Sequence, residues 1–140
     1  MTDRSLAEIA EKMRAIDVAM LSTHTQNGAI AGRPMSNNQD VEYDGSSYYF
    51  TWDKSQVVED IERDANVSLA FKGDDGFWVA VEGNAEIIRD KAAFEEHWNE
   101  DIDDWFENGT DTPGLAMIRI EAVRAHYWDG EDEGEVTLQA

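Results

Sequence analysis

Apolar residues recur at Leu6, Ile9, Ala10, Met13 and Ile16, and Ser5-Leu6-Ala7-Glu8 reads as a capping box in front of them, so a first helix of about three turns is predicted. The period then changes. Residues 18–25 form a β-rich run, Gln26-Asn27-Gly28 is a hairpin turn, and residues 29–35 return as a second strand whose ladder Pro34 should interrupt. A second hairpin is predicted from residues 41–43 and 47–52 around Asp44-Gly45. Asp53, with Gln56 three residues on, is placed to cap a helix carrying Val57, Val58 and Ile61. Residues 66–72 then read as a strand, 73–76 as a turn and 77–89 as a long strand. Asp90 should cap a helix through Phe94 and Trp98 that continues loosely to Trp105 and Phe106. After a polar loop with Gly109, Pro113 and Gly114, a final strand is expected over residues 115–128.

Six or so strands in successive antiparallel hairpins, with one helix between strands and others outside, favour a small closed or nearly closed barrel over a parallel sheet. No repeat or linker divides residues 1–140, which are read as one mainly β domain, with residues 129–140 as a flexible acidic tail. A barrel this small has little interior volume, so a sizeable ligand is expected outside it or at a subunit interface.

Charge narrows the function classes. Lys plus Arg number 11 against 31 Asp plus Glu, a formal net charge of -20, which repels nucleic acid and anionic membranes over most of the surface. The N-terminal residues lead into the helix without an apolar signal region, and there are no cysteines, so the expectation is a cytoplasmic protein without disulfide or thiolate chemistry. His24, His97 and His126 share no metal-ligand spacing, and no Ser, His and Asp set has the context of a nucleophile elbow.

Against that background two segments concentrate rare cations beside hydroxyls at strand ends: Ala31-Gly32-Arg33-Pro34-Met35-Ser36 and Tyr49-Phe50-Thr51-Trp52-Asp53-Lys54-Ser55. Folding could gather Arg33, Thr51, Lys54, Ser55 and the amides of a helix start around one phosphate. The competing reading makes Arg33 and Lys54 ordinary surface cations among many carboxylates.

The order Arg33-Pro34-Met35, Phe50-Thr51 with Ser55 four residues after the threonine, Gly83-Asn84-Ala85-Glu86, Trp98 with Trp105, and Tyr127-Trp128-Asp129-Gly130 runs over nearly the whole chain. In these motifs the chain resembles the FMN-binding split-barrel superfamily, within it the general stress protein 26 branch related to pyridoxamine 5'-phosphate oxidase. The resemblance implies a six-stranded antiparallel split barrel and a homodimer with one FMN at each end of the shared interface. It implies that Arg33, Thr51, Lys54 and Ser55 hold the phosphate and that Pro34 and Met35 lie along the flavin edge. Phe50 and Trp52 belong to the same cofactor segment, Trp78 matches a strand position that reaches the flavin, and Trp128 matches an aromatic that closes over it from the partner subunit. Many relatives carry Lys two residues after the serine, where this chain has Val57. The oxidases carry a basic substrate motif after the terminal tryptophan, where this chain continues Asp129-Gly130-Glu131-Asp132-Glu133-Gly134-Glu135, so vitamin B6 oxidation is not expected. The resemblance leaves open a flavin oxidoreductase, a non-enzymatic flavin binder or stress interaction module, and a variant that takes deazaflavin F420 or haem. No catalytic side chain is singled out.

Overall fold

A computed structural model describes residues 6–14, 16, 18–36, 45–74, 76–98, 100–103 and 106–137. The elements are α1 (Leu6–Arg14), β1 (Val18–His24), β2 (Ile30–Ser36), β3 (Ser46–Trp52), α2 (Gln56–Arg63), β4 (Asn66–Lys72), β5 (Phe77–Ile88), α3 (Lys91–His97), α4 (Glu100–Asp103), β6 (Leu115–Asp129) and β7 (Asp132–Thr137). All seven strands belong to one antiparallel sheet in the order β2-β1-β4-β5-β6-β3, with β7 also paired to β6. None of the described helices is long and apolar enough to cross a membrane.

Alternation fixes the inner face. Ala19 and Leu21 of β1, Val67, Leu69 and Phe71 of β4, Val79 and Val81 of β5, and Ile118, Ile120, Ala125 and Tyr127 of β6 meet Tyr49 and Val136 in one core. Ile9 and Met13 of α1 and Val57, Val58 and Ile61 of α2 complete it, as their helical spacing requires. A smaller apolar cluster on the other face of β3 and β6 joins Phe94, Phe106, Leu115 and Met117. That is why residues 115–118 are buried on both faces and read as a continuous apolar run instead of an alternating one.

One irregularity organises β6. Ala122 faces Gly83 and Arg124 faces Glu82, so Val123 is an extra residue opposite no partner. Inward positions are even-numbered before it (Ile118, Ile120, Ala122) and odd-numbered after it (Ala125, Tyr127). The other edge of β6 changes partner over the same stretch: β3 pairs with residues 115–121 and β7 with residues 124–129. A Cβ on Gly83 would stand 2.6 Å from the Glu121 carbonyl oxygen, so the two backbones approach this closely only because the residue is glycine.

Four expectations need correcting. The sheet has seven strands, not six. Residues 129–140 are not simply a flexible acidic tail, because Gly130 turns the chain at φ 64° and β7 pairs with β6, burying Val136. Its acidic side chains find partners there: His126 lies 2.9 Å from Glu133 and Arg124 lies 3.6 Å from Glu135. Pro34 does not end β2, which continues to Ser36; among the described residues β2 is an edge strand, where a missing N–H is tolerated. The third helical segment stops at His97 because Trp98 is extended, leaving α4 as a separate turn and Phe106 beyond it. Residues 41–43, Ser5, Asp44 and Trp105 lie outside the described residues.

Gly83→Ala should therefore destabilise the fold by about 1–3 kcal/mol, the usual range for forcing extra volume into a packed interior. The expected result is a lower denaturant midpoint with an unchanged slope.

Candidate functional site

β3 delivers the second of the two segments that pair cations with hydroxyls to the start of α2. Thr51 faces Ala116 across the β3–β6 ladder, and after the turn at residues 53–55 the helix begins at Gln56. The N-cap is Ser55, with φ -82° and ψ 160°, and not Asp53 as the sequence spacing suggested. Asp53 instead accepts a 2.6 Å hydrogen bond from Arg89 Nε. The Ser55 hydroxyl does not cap the first-turn amides; it lies 3.5 Å from the Thr51 hydroxyl. Two hydroxyls and a helix start without a side-chain cap thus sit together, with exposed Lys54 in the turn between them.

Arg33 comes from β2, opposite Leu21, on the core-facing side of its strand. Its guanidinium donates from one terminal nitrogen to Thr23 Oγ1 at 2.8 Å and to the Leu21 carbonyl at 3.4 Å, and from the other to Asp60 Oδ2 at 3.4 Å. Asp60 is fully buried on α2. It accepts from Thr23 Oγ1 at 2.9 Å and from Gln56 Nε2 at 2.8 Å, and Arg63 approaches to 3.5 Å. Burial pushes this carboxyl up, but the hydrogen bonds from Gln56 and Thr23 and the charges of Arg33 and Arg63 outweigh it, and Asp60 titrates below the ordinary aspartate range. The sequence reading missed Asp60 and Thr23. The signal was present, since Val57, Asp60 and Ile61 share one face of α2, where a carboxylate has to be paired.

The other predicted residues divide by face. Phe50 and Trp52 point away from Thr51: Phe50 packs on Phe94 and Trp98 with ring centroids 5.9 and 4.8 Å away, and Trp52 packs on Phe106 at 4.9 Å. Met35 is partly buried against the main core, whereas Pro34 is exposed. Trp78 and Trp128 are direct cross-strand partners on the outer face, 46% and 39% exposed, with Lys72 Nζ 5.6 Å from the Trp78 ring. Val18 and Met20, also exposed, extend that outer apolar face across β1.

Among the described residues, open depressions include one of about 590 Å³ around Ser22, Ser68, Gly83 and Arg124 and one of about 510 Å³ around Lys12, Lys72 and Phe77. Neither is lined by Arg33, Thr51, Lys54 or Ser55. No cluster of His, Asp or Glu suited to a metal ion occurs among the described residues.

A family model described as pyridoxamine 5'-phosphate oxidase like matches residues 4–139. The chain belongs to that family. A curated relative, protein bli-3 of Neurospora crassa, is 23% identical over 135 residues, or 89% of this chain; the chain spans 65% of that relative's length. A solved structure from Clostridium acetobutylicum, described as related to general stress protein 26 of B. subtilis, superposes with a TM-score of 0.81 at 20% identity, covering 94% of this chain and 92% of the other. A heme binding protein from Mycobacterium smegmatis gives 0.75 at 18% identity, covering 98% of this chain and 60% of the other. These likenesses establish the family fold, the antiparallel split barrel.

The Asp60 network implies a pH dependence with a definite sign. Its folded carboxyl titrates below the unfolded value of about 3.9, so its contribution is complete above that value and is lost as pH falls through the folded one. Asp60→Asn should cost about 1–3 kcal/mol at neutral pH, the scale of leaving buried hydrogen-bond partners poorly matched. The difference between wild type and variant, measured by denaturant unfolding, should shrink below about pH 4.

Proposed function

We propose that this chain is an FMN-binding protein of the general stress type that works as a homodimer in the cytoplasm. The observation that carries the reading is the start of α2, where the Thr51 and Ser55 hydroxyls lie 3.5 Å apart and the first-turn amides have no side-chain cap. This donor set suits a phosphate dianion, which accepts several hydrogen bonds at once. Lys54 and Arg33 supply the charge that an otherwise strongly acidic chain must bring to such a ligand.

When bound, the flavin ring would supply any redox chemistry. The protein's part is to bind and orient it. The outer face with Trp78, Trp128, Val18 and Met20 supports a shared interface, since exposed apolar area of this kind favours association. The acidic hairpin that follows Trp128 argues against a phosphorylated substrate there. An absorbance spectrum of the purified protein separates flavin from haem, the ligand in the name of the mycobacterial neighbour. Turnover with a nicotinamide donor separates an oxidoreductase from a non-enzymatic binder.

FMN should bind more tightly than riboflavin, which lacks the phosphate; equal affinities in a titration would refute the phosphate assignment. Arg33→Ala should weaken FMN by about 1.5–3 kcal/mol, the scale of a charge-assisted contact, and Lys54→Ala by less, because that side chain is exposed.

For the shared site, Trp128→Ala is expected to lower flavin affinity and to relieve quenching of flavin emission together. A species that is monomeric by light scattering yet holds stoichiometric FMN would contradict it.

A further inference from the structure

Arg33 has five N–H donors in a planar fork with two usable edges. The edge formed by its two terminal nitrogens is turned into the protein, toward Thr23 Oγ1, the Leu21 carbonyl and Asp60 Oδ2. The other edge, Nε together with the outer hydrogen of the second terminal nitrogen, has no partner among the described residues. The side chain is 22% exposed, whereas Asp60 is 0% exposed. Thr23 is equally enclosed, at 1%. Its single hydroxyl proton goes to Asp60 at 2.9 Å while its oxygen accepts from Arg33 at 2.8 Å, so the three groups fix one another's orientation. Gln56, in the first turn of α2, holds the second Asp60 oxygen at 2.8 Å, which ties this anchor to the helix that starts at Ser55.

We infer that Asp60, acting through Thr23, is a positioning residue for Arg33: it grips the inner edge of the guanidinium so that the outer edge is held ready for a bidentate contact with the phosphate. The inference rests on the phosphate site proposed above. Asp60 is then no competitor for Arg33, because the two edges of the fork serve different partners. Its effect is to fix a long, rotamer-rich side chain before the ligand arrives, so the ordering cost is not met at binding. The contribution should appear for ligands that carry a phosphate and be absent for those that do not.

The test compares Kd values for FMN and riboflavin in Asp60→Asn and Thr23→Val, with Thr23→Ser as the conservative control and Arg33→Ala and Ser55→Ala as reference variants. Asp60→Asn and Thr23→Val should each weaken FMN by about three- to tenfold, the equivalent of ordering one long side chain. Riboflavin should stay within about twofold, and Thr23→Ser should restore FMN binding. A general loss of structure would weaken both ligands together, and so would not change their ratio. Thr23→Val is nearly isosteric and keeps the test open if Asp60→Asn does not fold. If Arg33→Ala and Ser55→Ala lower the FMN to riboflavin preference while Asp60→Asn and Thr23→Val leave it unchanged or raise it, the positioning role is overturned and the phosphate site stands. If none of the four changes the preference, the phosphate site itself fails and the positioning role with it.

Discussion

A carboxylate with no access to water is the constraint around which this fold is arranged. An unpaired Asp60 would carry a desolvation penalty far larger than any single contact in a domain of this size. It is met by groups from three elements: Thr23 from β1, Arg33 from β2, and Gln56 and Arg63 from α2 itself. The same set of bonds therefore fixes the seat of α2 against the sheet and the direction of the one cation that β2 contributes. Packing alone would allow α2 to shift, because Val57, Val58 and Ile61 make nondirectional contacts. Hydrogen bonds from Thr23 of β1 and Arg33 of β2 to the Asp60 carboxylate do not allow that shift.

The second organising feature is the partition of β6. A strand of 15 residues cannot hold one neighbour along its whole outer edge when that neighbour is β3, which has only seven. The extra residue at Val123 changes which side chains face inward, and β7 takes over the vacant edge with Gly134 and Val136 inward and Glu133 and Glu135 outward. Arg124 and the ring of His126, both on β6, face those acids. Their isolated worth is small because all are partly exposed.

Local pattern made much of this visible in the sequence. Residues 66–72 form β4 with the predicted bounds, because polar flanks and strict alternation leave no other period. The apolar spacing from Ile9 to Ile16 likewise marks the buried face of α1. β7 was hidden because an edge strand needs few inward apolar residues, and here Val136 is the only large apolar side chain buried among its described residues, so the composition resembled a tail. The bulge was hidden for a related reason. A change from even to odd inward positions can be read only after the partner strand and Gly83 have set the register.

The candidate site was legible to a similar degree. Thr51 and Ser55 meet as their four-residue spacing across a turn suggested. Phe50 and Trp52 could not share that side, since adjacent strand residues face opposite ways, and α3 with Phe106 covers the face they occupy. Arg33 exposes the limit of reading cations as free ligands for anions. In a chain of net charge -20, a cation near a site has already been claimed by some carboxylate unless the fold prevents it. Here the claimant is buried and holds only one edge of the guanidinium, so internal pairing and external recognition can coexist on one side chain. An exposed carboxylate would have been free to follow the guanidinium and cover both edges. Burial of Asp60 on a helix is what restricts it to one.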